Sequence, residues 1–426
     1  MSGKFTEVDG KHMQSITRWN GIKWDSMGTG IDGLYGYATK SEYAPGPFAM
    51  TEYHNKLYVG GIFTALGNVF APAIGTWNGT TWDSMPVQPF KCDTVGSPPT
   101  GVVSALAVID NKLYMGGMFD TVAGQPGIIG IASWNDTSWN SLNFPNFRYF
   151  YSIWAICEYQ GSIYVGGEFY YTAANDTVKN ILRWDGKNWH SVGGGINNAW
   201  VNSMVVYNGE LYVAGYFSKS GGNVDNNIQK WNGTTWSTVG GGTDNEIFNL
   251  MVYNGKLYAM GQIENAGGIP ASKIAKWDGN KWCSLGSAFD NSIITSCVYK
   301  DSLYIGGGFN TIDGDSIIYV AEWTGGNYVA NCGQPTGVNQ LKIKNEQLKI
   351  YPNPNNGQFI LSLSNVTENC NVEIYNVLGE KVYSQFNIAN SSVAINLSSQ
   401  SNGVYLYRVI SQNGKLIGEG KAVIQK

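Results

Sequence analysis

A pair of tryptophans enclosing Asn-Gly or Asp-Gly returns along this chain at nearly constant spacing. It occurs as Trp19 with Trp24, Trp77 with Trp82, Trp184 with Trp189, Trp231 with Trp236 and Trp277 with Trp282. Two relatives complete the series: Trp134 with Trp139 has Asp136 in the Gly position, and Trp323 closes with Tyr328. Successive first tryptophans lie 58, 57, 50, 47, 46 and 46 residues apart. Self-similarity at such a period marks a repeat architecture, in which one unit cannot bury its apolar face without its neighbours.

A second string precedes each pair: Leu57-Tyr-Val-Gly-Gly61, Leu113-Tyr-Met-Gly-Gly117, Ile163-Tyr-Val-Gly-Gly167, Leu211-Tyr-Val-Ala-Gly215, Leu257-Tyr-Ala-Met-Gly261 and Leu303-Tyr-Ile-Gly-Gly307. Before it runs an apolar stretch ending in a turn, as in Val205-Val-Tyr-Asn-Gly209. Each unit thus offers four short strands: A (apolar), B (Leu-Tyr-Val-Gly-Gly), C (ending at the first Trp) and D (starting at the second). β-branched and aromatic runs bounded by Asn-Gly are hairpin signals, and no helical period competes. A two-residue turn at Asn78-Gly79 sets Trp77 opposite Thr80 and Gly75 opposite Trp82, with the indoles as diagonal neighbours. The glycine pair of strand B suits a backbone approach too close for a Cβ.

Four antiparallel strands per unit predict an all-β fold, a β-propeller of about seven four-stranded blades over residues 1–330. These units resemble kelch-like propeller repeats, with a glycine pair ending strand B and an aromatic later in the unit. The spacing differs from the standard kelch one, and the resemblance implies no particular reaction. The first blade is truncated. Gly3-Lys-Phe-Thr6 aligns with Gly61-Ile-Phe-Thr64, so strands C and D are present while A and most of B are not. We expect a fragment, with the missing half-blade and a signal peptide upstream. Short turns join A to B and C to D at one end, so the longer B–C and D–A connections share the other.

Residues 331–347 read as a linker. Residues 348–426 offer six or seven short strands, an immunoglobulin-like β-sandwich. This tail resembles the C-terminal sorting domain (type A) of the Bacteroidetes type IX secretion system. The matching residues are Tyr351-Pro352-Asn353-Pro354 with Gly357, Val372-x-Ile-Tyr-Asn-Val-Leu-Gly379, Asn402-Gly403-Val-Tyr405, and the final Gly420-Lys-Ala-Val-Ile. The resemblance implies the type IX machinery as a partner, export through the outer membrane, and a secreted or cell-surface protein.

Charged residues make up only 14% of the chain and the net charge is -4, with no basic cluster, which excludes nucleic-acid binding. No segment reads as a transmembrane span. The three histidines, His12, His54 and His190, fall in different parts of different blades, so no metal or other cofactor is expected. The six cysteines lack Cys-x-x-Cys spacing, although Cys283 and Cys297 in neighbouring blades are candidates for a bridge. Asp244 with Glu246, and Asp313 with Asp315, are the carboxylate pairs open to acid–base work or Ca²⁺. Turn chemistry is the more ordinary use of such residues.

No catalytic residue is named. Aromatics crowd the D–A connections, where rigid scaffolds carry binding loops. The candidate ligand-binding residues are Tyr35, Tyr37, Phe147, Arg148, Tyr149, Tyr151, Trp200 and Phe248, with Phe144 and Phe289 in comparable places. The sequence supports a monomeric, extracellular binding or adhesion module for glycan or protein. An extracellular carbohydrate-active enzyme using carboxylates on this face is the alternative, and a structural surface component a third reading.

Overall fold

The computed structural model describes the chain except residues 4, 33–45, 86–100, 146–148, 174–175, 198–199, 221–225, 287, 324–347, 364–368, 377–379, 390 and 413–415. Two compact units emerge, Met1–Pro335 and Thr336–Lys426. Among the described residues every regular element is a strand, and no helix is long and apolar enough to cross a membrane.

The first unit is a ring of seven blades. Five are complete antiparallel sheets of four strands in the order A-B-C-D. In blade 5 these are Trp200–Tyr207, Glu210–Tyr216, Ile228–Trp231 and Trp236–Ser237. The A strands of blades 2, 3, 4, 6 and 7 are Gly46–Tyr53, Val102–Ile109, Tyr149–Tyr159, Ile247–Tyr253 and Ile293–Tyr299. Blade 1 is the hairpin Thr17–Trp19 with Trp24–Ser26, and blade 7 has three described strands. Successive A strands pack on one another around the centre, which makes A innermost and D outermost.

The two hairpins in a blade use different turns. Tyr207 pairs with Glu210 across Asn208-Gly209, both with positive φ, as a two-residue primed turn demands. The C–D turn departs from the sequence expectation. Trp77 lies directly opposite Trp82, because Asn78 Oδ1 accepts the amides of Thr80 and Thr81 and closes a four-residue loop. The indoles therefore meet directly across the two strands, tilted to one another, with centroids 4.9 to 5.2 Å apart in six blades.

In four blades the second tryptophan also ties its blade to the one before. Trp82, Trp189, Trp236 and Trp282 donate their indole N–H to the carbonyls of Met27, Leu142, Val192 and Val239, at 2.8, 2.8, 3.1 and 2.9 Å. The last tyrosine of strand A ties its blade to the one after. Tyr53, Tyr159, Tyr207 and Tyr253 donate to the A–B turn carbonyls of Asn111, Gly209, Gly255 and Asp301.

The glycine pair has two separate causes. A Cβ on the first glycine would strike the following blade: Gly60 meets Val103 Cγ1 at 2.4 Å, Gly116 meets Ile153 Cγ2 at 2.7 Å, and Gly166 meets Val201 Cγ1 at 2.5 Å. The second faces a β-bulge in its own strand A, where the Cβ would fall 1.9 to 2.2 Å from a carbonyl oxygen.

One cysteine expectation fails. Cys283 is disulfide-bonded, yet Cys297 is free, and the partner of Cys283 lies outside the described residues. Cys283 sits in the outermost strand of blade 6 and Cys297 in the innermost strand of blade 7, so a bridge between them has no geometry. Cys157 is half-buried, and burial pushes its thiol up to about 11.

The second unit is a sandwich of a three-stranded and a four-stranded antiparallel sheet. Its core joins Phe359, Leu361, Val372, Ile374, Ile395 and Val409 from both sheets.

Candidate functional site

The connections sort to two ends of the ring as the strand order requires. At one end four D–A connections pair with the B–C hairpin of the next blade: Ile31 with Leu66, Ile196 with Ser220, Thr243 with Ala266, and Phe289 with Ile312. The A strands start at this end, so their first residues ring the mouth of the central channel.

In every A strand an extra residue bulges out of the ladder just after the start. A bulge leaves one residue unpaired and re-aims its side chain. The bulged residues are Phe48, Ser104, Trp154, Asn202, Phe248 and Ile294, and blade 4 has a second bulge at Tyr151. On blades 4 to 6, Trp154 and Asn202 of these join Trp200, Tyr216 and Glu246 in one cluster. Trp154 meets Trp200 edge to face at 6.3 Å, and Trp200 leans on Tyr216 at 5.1 Å. The Trp200 indole N–H donates to Glu246 Oε1 at 2.6 Å, and the Asn202 amide donates to the same oxygen at 2.8 Å. Phe248 stands half-buried beside Glu246 in sequence, and Tyr216 is 48% exposed.

Trp200 and Phe248 were candidates from sequence, and the structure sets both on strands at the mouth rather than in loops. Tyr149 and Tyr151 likewise belong to strand A of blade 4. Tyr35, Tyr37, Phe147 and Arg148 lie outside the described residues. Phe144 and Phe289 are core: Phe144 packs edge-on against Trp189 and Phe169, and Phe289 against Phe309. Trp154, Asn202 and Tyr216 escaped the sequence reading. Each lies inside a strand string that alternation assigns to blade packing; the bulge register sets Trp154 and Asn202 apart, and Tyr216 follows from its pairing with Trp200.

The carboxylates separate by role. Burial works against ionisation of Asp244, but the amides of Glu264 and Asn265 outweigh it and hold its carboxyl below the usual range. Asp244 is therefore a clasp on the blade-6 B–C hairpin, and Asp290 does the same for Asn310 and Thr311 in blade 7. Asp313 accepts the amide of Ala288. Glu246 reaches the aromatic cluster through its bonds to Trp200 and Asn202. Among the described residues no three His, Cys, Asp or Glu side chains gather as a metal site.

In the second unit, the segments that carried the sorting resemblance come together at one place. Asn353 Oδ1 accepts the amide of Val423, the Asn353 amide reaches the Lys421 carbonyl, and Asn355 pairs with Val423 and Gln425 through its backbone. Gly357, with φ 97°, runs against Ser398, leaving no space for a side chain. Tyr405 is buried with its hydroxyl on the Ser401 carbonyl, and the Lys426 amide donates to Asn402. The motif around Tyr351 and Pro354 is thus the clamp on the terminal strand, and Tyr351 itself is exposed. Gly379 lies outside the described residues.

Residues 349–425 match the family model of the secretion system C-terminal sorting domain. The protein carries a type IX sorting domain and is exported, to be released or displayed at the cell surface. The whole chain is similar in structure to PorZ, an essential bacterial surface component of the type IX secretion system of Porphyromonas gingivalis. That likeness has 15% identity and a TM-score of 0.41, covering 91% of this chain and 61% of PorZ. It is also similar to the extracellular domain of BT4673 from B. thetaiotaomicron (10% identity, TM-score 0.38, 94% of this chain and 59% of that one). A fungal alcohol oxidase of the AA5 family, solved with copper, gives 11% identity and a TM-score of 0.39 over 95% of this chain and 88% of that one. Likenesses at this level say nothing of ligand or reaction. The chain spans about 60% of the length of the first two. No curated protein matches the sequence.

Proposed function

We propose that this exported protein is a binding module of kelch-like blades that takes neutral carbohydrate at the channel mouth over blades 4 to 6. The cluster of Trp154, Trp200 and Tyr216 around the carboxylate of Glu246 carries this reading. A sugar ring offers C–H faces to aromatic rings and hydroxyl edges to a fixed carboxylate and amide. Asn202 and Glu246 supply those polar groups beside the rings, as ligand sites require. Blades 2 and 7 place Phe48 and Ile294 at the equivalent positions, with neither indole nor carboxylate. The rigid strands that hold the rings keep the ordering cost of binding low.

A glycan-array screen of the whole chain tests this reading. Saturable binding that disappears in Tyr216→Ala is the expected result. A blank array from well-folded protein overturns it and favours a protein ligand. Turnover of a bound glycan that is lost in Glu246→Gln would make the site catalytic, since the Glu246 carboxylate is held among these rings.

A further inference from the structure

Near-copies of one unit make departures from it informative, because what the scaffold requires it requires in every blade. The residue before the first tryptophan lies opposite the strand-B tyrosine, Thr76 on Tyr58 in blade 2 and Lys230 on Tyr212 in blade 5. It is cationic in blades 1, 4, 5 and 6, as Arg18, Arg183, Lys230 and Lys276. In blade 5 the Lys230 ammonium donates to Glu210 Oε2 at 2.7 Å. Blade 2 carries the short, buried Thr76 instead. Blade 3 has a short residue there too, Ser133, but the turn of the following blade holds the usual Gly186.

Across the interface from Thr76, the C–D turn of blade 3 breaks the repeat in the opposite sense. Asp136 stands where Gly21, Gly79, Gly186, Gly233 and Gly279 stand, and it keeps a left-handed backbone, with φ 72° against their 94° to 105°. A side chain in that region carries backbone strain, and such residues cluster at sites that hold ligands. Blade 2 fixes the carboxylate through His54, whose Nδ1 lies 3.2 Å from Asp136 Oδ1. The His54 ring stacks on Tyr53 at 4.0 Å, and its Nε2 lies 3.2 Å from Asn111 Oδ1. His54 is itself a departure, since the other A–B turns begin with Asp110, Gln160, Asn208, Asn254 and Lys300.

Thr76 and Asp136 line one cavity of about 220 Å³, together with the buried rings of Tyr58 and Trp134 and with Lys56 and His54. Burial first, and the charge of Asp136 second, push the Tyr58 hydroxyl above its ordinary range, so the carboxylate acts on the cavity wall. Lys56 does not exclude a further cation beside it. Blade 6 carries Lys256 and Lys276 at the two corresponding places.

We propose that this cavity between blades 2 and 3 binds a primary ammonium or guanidinium group on an aliphatic stem, in the place that Lys230 fills in blade 5. The ligand supplies the cation that Thr76 leaves out, and Asp136 supplies its counter-charge from the facing turn. The stem lies along the rings of Tyr58 and Trp134, whose faces attract cations and whose edges cover methylene groups. The Thr76 hydroxyl accepts a hydrogen bond from the charged nitrogen. This site sits at the A–B and C–D turn end of the ring, away from the channel mouth, and is independent of the ligand assigned there.

Calorimetric titration of the whole chain with Nα-acetyl-lysinamide, butylamine and the neutral Nα-acetyl-norleucinamide tests this. Saturable binding of at least one amine, without binding of the norleucine derivative, is expected. Tighter binding of the lysine derivative points to a protein side chain as the natural ligand, and tighter binding of butylamine to a free amine. Asp136→Gly restores the turn residue of the other blades and should weaken binding by at least about tenfold. Thr76→Lys supplies the cation from the chain itself and should abolish binding while leaving Tm at or above the native value. Absence of binding by both amines, equal binding of the norleucine derivative, or undiminished affinity in Asp136→Gly overturns the proposal. So does a Tm lowered by Thr76→Lys, because the cavity would then not accept a lysine side chain.

Discussion

Blade 5 and blade 7 are built from nearly the same strings, Leu211-Tyr-Val-Ala-Gly215 and Leu303-Tyr-Ile-Gly-Gly307, yet they end in different environments. In blade 5, Tyr212 is buried and the Tyr207 hydroxyl reaches the next turn. In blade 7, Tyr304 is half-covered and Tyr299 makes no such bond among the described residues. The residues are equal and the neighbours are not. In a repeat ring most stability belongs to interfaces between units, as in other quasi-repetitive folds. A local string therefore states what it can pack against, and only the ring decides whether anything is there.

That difference is open to direct attack at three equivalent positions. Gly166→Ala sets a Cβ 2.5 Å from Val201 and should destabilise the chain by about 1–3 kcal/mol, the usual cost of overpacking. Gly306→Ala should be neutral, or stabilise by a few tenths through the unfolded chain. Chemical denaturation of both variants reads the contrast, and equal losses would break it. Trp282→Phe removes the hydrogen bond to the Val239 carbonyl from a buried site and should cost about 1–2 kcal/mol. Trp24→Phe, at a half-buried site, should cost less than half as much in the same denaturation series. Smallest of the three, Tyr253→Phe loses the bond to the Asp301 carbonyl and should cost about 0.5–1.5 kcal/mol, with Tyr299→Phe near zero. Calorimetry of that pair checks whether the missing acceptor matters.

Much of this fold was legible because repetition multiplies weak local signals. Tryptophan spacing gave the blades, Asn-Gly gave the A–B turns, and the glycine pair announced close approach before any neighbour was known. The C–D register was misread by one position on each strand, since the Asn78 side chain captures two backbone amides and lengthens the loop. The site was less legible. Aromatics in long connections drew attention, but Phe144 and Phe289 turned out to be core. Trp154 lies in a strand string whose alternation says packing, and the strand A bulge overrides that alternation by one residue, while Tyr216 on strand B is placed by its pairing with Trp200. The sorting domain was readable for another reason: its motif residues are the ones whose backbone conformations and side-chain hydrogen bonds clamp the terminal strand, and few other residue types fit there.

Among the described residues the channel mouth also differs around the ring, with indoles and a carboxylate over blades 4 to 6 and Phe48 and Ile294 at the equivalent bulges of blades 2 and 7. The most direct measurement is a calorimetric titration with a saccharide retained on an array, run on the native chain, Tyr216→Ala and Phe48→Ala in parallel. The expected result is saturable binding by the native chain and by Phe48→Ala, with at least about tenfold weaker binding, or 1.4 kcal/mol, in Tyr216→Ala. Undiminished binding in Tyr216→Ala, or an equal loss in Phe48→Ala, would contradict a site on blades 4 to 6.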